Sequence, residues 1–158
     1  MDLKELHLDD VSEIWNINEQ GLPGTGKVSH EEIEDLLSLS EIAIGAFEEG
    51  KLSGFVICLL PRTRYGSLNY AWFNQRYDNF IYVDRIAVAA NRRGQKIGSR
   101  IYQEVVSYAE QHKCPITAEV SLEPPNPGSM RFHYEHGFHE VGVLKHESKS
   151  VTMMLRKL

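Results

Sequence analysis

One short basic cluster stands out in a chain of 158 residues. AANRRGQKIGSR, Ala89 to Arg100, interleaves Arg92, Arg93, Lys96 and Arg100 with Gly94 and Gly98. Glycine lets a ligand approach the backbone, and basic side chains add charge. A helix start supplies unpaired N–H groups and the positive end of a dipole. Together these make a phosphate seat. Just upstream, Asp84 interrupts the apolar run IYVDRIAV. An unpaired buried carboxylate is costly, so Asp84 is read either as an arginine's ion-pair partner or as a general base. Glu119 is a second carboxylate, in ITAEVSLE. It shares a strand face with Ser121 and Glu123, and its other reading is a solvated strand residue. His133 and Tyr134 are both able to donate a proton. Helix neighbours point about 100° apart, so only one can face a given point. His133, His136 and His139 have a three-residue spacing, but Gly137 interrupts the helix between them and no metal is expected.

These residues need particular elements around them. Ile81 to Ala109 reads as strand, tight glycine loop and helix. Ile97, Ile101, Tyr102, Val105, Val106 and Ala109 fall on one face at a 3.6-residue period. Alternation along the strand puts Tyr82, Asp84, Ile86 and Val88 on a common face. Leu3 to Leu8 predicts a first strand. Asp10 with Glu13, and Ser29 with Glu32, have capping-box spacing and predict helices to about Glu19 and Leu37. Gly21, Pro23, Gly24 and Gly26 predict a flexible turn between them. Glu49-Gly50 joins Glu41–Glu48 to Lys51–Leu60 as a hairpin. Pro61 to Asn79 is irregular, with short helical content around Tyr70 to Arg76. It carries Tyr65, Tyr70, Trp72, Phe73 and Tyr77, either as a wall over a substrate pocket or folded back on the core. Ile116 to Leu122 predicts a strand broken by Pro124, Pro125 and Pro127, then a helix over Ser129 to His136. Phe138 to Leu144 and Ser150 to Leu155 predict a closing antiparallel pair. Mixed strands and helices of this order predict an α+β domain spanning residues 1–158.

Composition bounds the partners. Hydrophobic residues make up 42% and charged residues 25%, ordinary for a soluble globular protein. A net charge of −5 argues against nucleic acid, and no apolar run approaches bilayer length. The polar start MDLKELHLDD lacks a signal-peptide core, so a cytoplasmic location is expected, with no membrane partner. Cys58 and Cys114 make no disulfide framework. No serine sits in a nucleophile elbow.

VDRIAV followed by Arg93-Gly94-Gln95-Lys96-Ile97-Gly98 resembles the acyl-CoA-binding signature of the GNAT N-acyltransferase superfamily. That signature is Arg or Gln, two residues, Gly, one residue, then Gly or Ala. NPGSMRFHYEHGF, Asn126 to Phe138, resembles the superfamily's second landmark, an asparagine, a short helix and Gly-Phe opening the next strand. YDNFIYVDRIAV with EPPNP and FHYEHGFHEVG is similar to a bacterial subgroup of predicted acetyltransferases. One residue departs from the signature. Lys96 stands where its first glycine belongs, and a lysine there is expected to keep helical backbone geometry and to face a phosphate.

The resemblance implies a mixed, mostly antiparallel, twisted sheet of six to seven strands. It is splayed between the fourth and fifth strands and flanked by about four helices. It implies acetyl-CoA as co-substrate, with the pantetheine arm along the backbone of Ile86, Ala87 and Val88. The pyrophosphate would sit on the amides of Arg93, Gly94, Gln95, Lys96, Ile97, Gly98 and Ser99, with Asn126, Ser129 and Phe132 also binding the coenzyme. The Val88 N–H would serve the thioester oxygen. Asp84 and Glu119 become the general-base candidates. The superfamily's leaving-group tyrosine, counted from Asn126, falls on His133, and Tyr134 is one residue later. Tyr70, Trp72, Phe73 and Tyr82 are the expected acceptor-binding residues. The function implied is acetyl transfer to an amine of a small molecule or peptide, without a metal. Two alternatives are an acyl-CoA sensor without turnover and an ATP-binding enzyme, though the latter lacks a P-loop's Gly-Lys-Ser/Thr. Dimers are common in the superfamily, so a homodimer is one expected assembly.

Overall fold

Alternating apolar segments pair into a single twisted sheet. The computed structural model describes residues Met1–Leu158. Its strands are β1 (Asp2–Glu5), β2 (Ile42–Glu48), β3 (Lys51–Leu59), β4 (Ile81–Val88), β5 (Ile116–Glu123), β6 (Phe138–Lys145) and β7 (Ser150–Arg156). They lie in the order β1-β2-β3-β4-β5-β7-β6. Every neighbouring pair is antiparallel except β4 and β5. The closing hairpin is therefore inserted, with β7 between β5 and β6. The β2–β3 turn places Glu49 at φ 50 and Gly50 at φ 78, the left-handed pair that a two-residue hairpin requires.

The helices are α1 (Val11–Gln20), α2 (His30–Leu39), α3 (Leu68–Arg76), α4 (Ile97–His112) and α5 (Pro127–Glu135). Five form where about four were expected, because the tyrosine-rich segment closes into the full helix α3. Residues of α1, α2 and α3, such as Ile14, Ile33, Leu36, Tyr70 and Phe73, cover one sheet face. The predicted stripe on α4, Ile97 to Ala109, covers the other. Ser29 and Glu32 form the expected capping box. Asp10 and Glu13 do not. The Asp10 carboxylate accepts from the His7 N–H, 2.8 Å, and Glu13 reaches across to accept from the Leu52 N–H, 2.9 Å. No helix is long and apolar enough to cross a membrane.

Two departures from regularity shape the centre. β4 and β5 run parallel, joined by α4 as the crossover, and pair only at Ile81–Ile116 and Tyr82–Thr117. Beyond these pairs the strands separate. Second, the β3–β4 register slips at Ile57/Cys58, pairing Ile57 with Arg85 but Cys58 with Val83. Asp84 is the extra residue of a β-bulge, and a bulge resets which face later side chains take. The common face expected for Tyr82, Asp84, Ile86 and Val88 is therefore not formed. Tyr82 packs with α1, α2 and α3, whereas Ile86 and Val88 pack on the α4 side.

Candidate active site in the splay between β4 and β5

The separation of β4 from β5 opens a cleft of about 1030 Å³. Val83 to Val88 line it along their free edge, opposite Ala118, Glu119 and Ser121. The Ala89 N–H donates to Ser53 O on β3, 2.8 Å. Backbone donors alternate between the two edges of a strand, so the Val88 N–H points to the open edge. At the far end stands the start of α4. Its first helical hydrogen bond runs from the Arg100 N–H to Lys96 O, 3.1 Å, which leaves the amides of Ile97, Gly98 and Ser99 without helical partners. A Cβ on Gly98 would lie 3.3 Å from the Phe132 ring, so glycine sets how closely α4 and α5 approach there.

Of the residues expected at a coenzyme, Ile86, Ala87, Val88, Arg93, Gly94, Gly98, Asn126, Ser129 and Phe132 line the cleft. The side chains of Gln95, Lys96, Ile97 and Ser99 do not. Ile97 is a core residue, 3% exposed. Lys96 adopts φ 62, ψ 22, the left-handed region, and caps α4. That corrects the expectation of helical geometry at this position: the signature's glycine answers a positive φ, which a Cβ makes unfavourable. Arg92 turns away to Glu48, 2.7 Å. Arg93 reaches back to the Val88 and Gln20 carbonyls, at 3.4 and 3.3 Å. Asn126 acts as the cap of α5, its Oδ1 accepting from the Ser129 N–H, 3.2 Å.

Glu119 occupies the wall on the α3 side. The Tyr82 O–H donates to both carboxylate oxygens, 2.7 Å to Oε1 and 2.9 Å to Oε2, and Asn69 Nδ2 donates to Oε1 at 3.0 Å. Burial pushes the Glu119 carboxyl up to about 7, and the Asp84 charge adds to the rise, against the hydrogen bonds from Tyr82 and Asn69. Burial and the Glu119 charge in turn push the Tyr82 phenol well up, so it stays a donor. Asp84 is different. Its side chain is 4% exposed and pairs with Arg85 at 2.7 Å. The Arg85 guanidinium, 7% exposed, also donates to Asn18 Oδ1, 3.1 Å, and to Gly26 O, 3.0 Å. The ion-pair reading of Asp84 describes this geometry, because its carboxylate is committed to a buried cation.

The acid candidates separate as their angular offset demands. His133 lines the cleft, 3% exposed. Its Nδ1 lies 2.8 Å from Ser129 O and its Nε2 2.9 Å from Tyr102 OH. A carbonyl only accepts, so Nδ1 carries the hydrogen and the Tyr102 hydroxyl donates to Nε2. Burial lowers the imidazole to about 4. It is neutral at pH 7, with both nitrogens engaged, and is no ready acid. Tyr134 lies on the other side of α5, 48% exposed, with its hydroxyl donating to Glu140. It does not line the cleft, so its expected place beside a leaving group is corrected.

The aromatic segment also resolves toward the core. Tyr70 and Phe73 are 1% and 0% exposed. Trp72 packs over Gly142 and under the Arg76 guanidinium, 3.9 Å from the ring centroid. Tyr82 touches the cleft only through its bond to Glu119. None of these four side chains lines the cleft; Tyr65, Ser67 and Asn69 of the same segment do. The α1–α2 loop, expected as a flexible turn, roofs it. Gly21 to Gly26 line the cleft, and a Cβ on Gly24 would meet Asn126 Nδ2 at 2.7 Å. Asn18, fully buried on α1, was the sequence signal for this roof, being a polar residue on an apolar helix face. Nowhere do three or more His, Cys, Asp or Glu side chains converge as a metal-binding group.

The sequence model of the family described as "Acetyltransferase (GNAT) family" matches residues 2–138. No curated protein matches the chain. Among solved structures, the chain is similar to a ribosomal-protein-alanine N-acetyltransferase from Brucella melitensis, with 19% identity, TM-score 0.77 and 100% of each chain covered. It is similar to Naa50 from Arabidopsis thaliana in complex with the bisubstrate analogue CoA-Ac-MVNAL, with 16% identity, TM-score 0.76 and coverage of 99% and 98%. It is also similar to Ard1 from Thermoplasma volcanium, with 18% identity, TM-score 0.79 and coverage of 98% and 95%. At these identities the likeness is one of fold.

Proposed function

The chain belongs to the GNAT acetyltransferase family, and from that premise we propose that it transfers acetyl from acetyl-CoA directly to an amine of a peptide or small molecule. One observation carries the reading. A carboxyl raised to about 7 and a helix N-terminus with free amides open onto the same cleft. A general base works best when its pKa lies near the operating pH.

In this reading residues 1–158 act as one catalytic domain. The amides of Ile97, Gly98 and Ser99 and the side chain of Arg93 hold the pyrophosphate. The free edge of Ile86 to Val88 pairs with the pantetheine arm, and Phe132, Asn126 and Ser129 close the α5 side. Glu119 Oε2 takes the proton from the acceptor amine as its nitrogen forms the C–N bond. The Val88 N–H stabilises the oxyanion that develops on the thioester carbonyl. The C–S bond then breaks, the thiolate takes a proton from water at the open mouth, and the proton held by Glu119 passes to solvent, which neutralises the hydroxide left behind. Neutral His133 braces α5 against α4, and Asp84 keeps Arg85 in place beneath the roof loop. The acceptor enters between the roof loop, Tyr65, Ser67 and Lys149, all cleft-lining residues. The names of fold neighbours, a ribosomal-protein-alanine acetyltransferase and a CoA–peptide analogue complex, support including peptide amines in the acceptor class.

The test is release of free thiol from acetyl-CoA across a panel of peptide and small-molecule amines. Turnover that falls at least a hundredfold in Glu119→Gln at pH 7.5 is expected, within the range attributed to acid–base catalysis, about 10²–10⁴-fold. Turnover untouched by that substitution refutes Glu119 as the base.

A further inference from the structure

Glu119 is held by a chain of groups that begins in the loop joining β6 to β7, remote in sequence. His146 Nε2 lies 2.9 Å from Asn69 Oδ1, across 77 residues of sequence. Asn69 Nδ2 lies 3.0 Å from Glu119 Oε1. A carboxylate only accepts, so the amide nitrogen of Asn69 must face it and the amide oxygen must face His146. His146 therefore carries its hydrogen on Nε2 and donates. Reversing the amide would set an oxygen against a carboxylate. The chain is directional: the Glu119 carboxylate fixes the face of the Asn69 amide, and His146 donates to its outer oxygen.

The consequence falls on one oxygen. Glu119 Oε1 receives both Asn69 and the shorter Tyr82 bond, 2.7 Å, while Oε2 receives only the longer share of the same Tyr82 hydroxyl, 2.9 Å. We propose that Asn69, held by His146, is a positioning residue that occupies Oε1 and leaves Oε2 as the oxygen facing the acceptor amine. This rests on the reading of Glu119 as the base. Asn69 is the second residue of α3, in the first turn behind the Ser67 cap, whose Oγ accepts from the Tyr70 N–H, 3.2 Å, so the amide springs from a fixed backbone. Other titratable groups also face Glu119. They are Tyr82, Asp84 and Arg85 on β4, Tyr102 on α4, His133 on α5, and Tyr65 and Lys149 at the cleft wall.

The experiment titrates Glu119 directly, by carbon-13 NMR of carboxyl-labelled protein, with its resonance assigned by its loss in Glu119→Gln. No acceptor is needed. A wild-type midpoint near 7 is expected. Asn69→Leu keeps the volume and removes a hydrogen bond to a charged group, which raises the midpoint by about one pH unit. His146→Leu moves it the same way by less, and His146→Gln, which restores an N–H donor, brings it back. The acid limb of kcat/KM moves in step with the midpoint, whereas a merely structural role would lower activity without moving that limb. An unchanged midpoint in both Asn69→Leu and His146→Leu overturns the proposal. Turnover insensitive to Glu119→Gln, with the midpoints shifting as described, instead overturns the base assignment and leaves the hydrogen-bond chain standing.

Discussion

Glu119→Gln should make the protein more stable at alkaline pH, which tests the environment of the carboxyl apart from any activity. Glu119 titrates near 7 in the folded chain, against an ordinary value of 4.5. The folded state therefore binds the proton more tightly than the unfolded state, and stability falls as pH rises through this window. Linkage between those two values amounts to on the order of 1 kcal/mol lost by pH 5 and 3 kcal/mol by pH 8. Glutamine does not titrate, and every other group is common to both proteins. The difference in unfolding free energy between variant and wild type should thus grow by roughly 2 kcal/mol from pH 5 to pH 8. Urea denaturation followed by tryptophan fluorescence at the two pH values measures it. A difference that stays constant with pH, or shrinks, refutes the argument that burial outweighs the hydrogen bonds from Tyr82 and Asn69.

Other substitutions separate the remaining assignments. Lys96→Gly relieves a left-handed residue and should stabilise by about 1 kcal/mol in thermal unfolding, whereas Lys96→Ala, which keeps its Cβ, should not. Asp84→Asn leaves the Arg85 guanidinium buried without its counter-charge and should cost about 3–5 kcal/mol in denaturant titration. Gly98→Val should weaken acetyl-CoA binding measured by calorimetry, because the Cβ alone already meets Phe132 at 3.3 Å. Tyr134→Phe should leave kcat unchanged in the thiol-release assay, since its hydroxyl faces Glu140 outside the cleft.

Local signals carried the scaffold a long way. The period of Ile97 to Ala109, the Glu49-Gly50 turn and the Ser29–Glu32 box are properties of contiguous residues, and each formed as the sequence indicates. What stayed hidden depends on partners distant in sequence. The bulge at Asp84 exists because β3 pairs across it, and it moves Ile86 and Val88 to the opposite face from Tyr82. The insertion of β7 between β5 and β6 is a choice between two antiparallel arrangements that alternation cannot make. Tyr70, Ala71, Trp72 and Phe73 are contiguous in a helix of weak amphipathicity, so the sequence does not mark which of them is buried, and the sheet beneath decides it for Tyr70 and Phe73. Lys96 is the clearest case. The family signature asked for glycine there, and the reason, a left-handed backbone, is visible only once α4 is capped.

The central claim is that the splay between β4 and β5, with the free N-terminus of α4, is a seat for acetyl-CoA. Calorimetric titration of the wild-type protein with acetyl-CoA tests it most directly. Saturable binding at one site per chain, lost or weakened when Arg93 is replaced by glutamine, is the predicted result. No saturable heat at millimolar acetyl-CoA, from protein shown to be folded, would contradict the account.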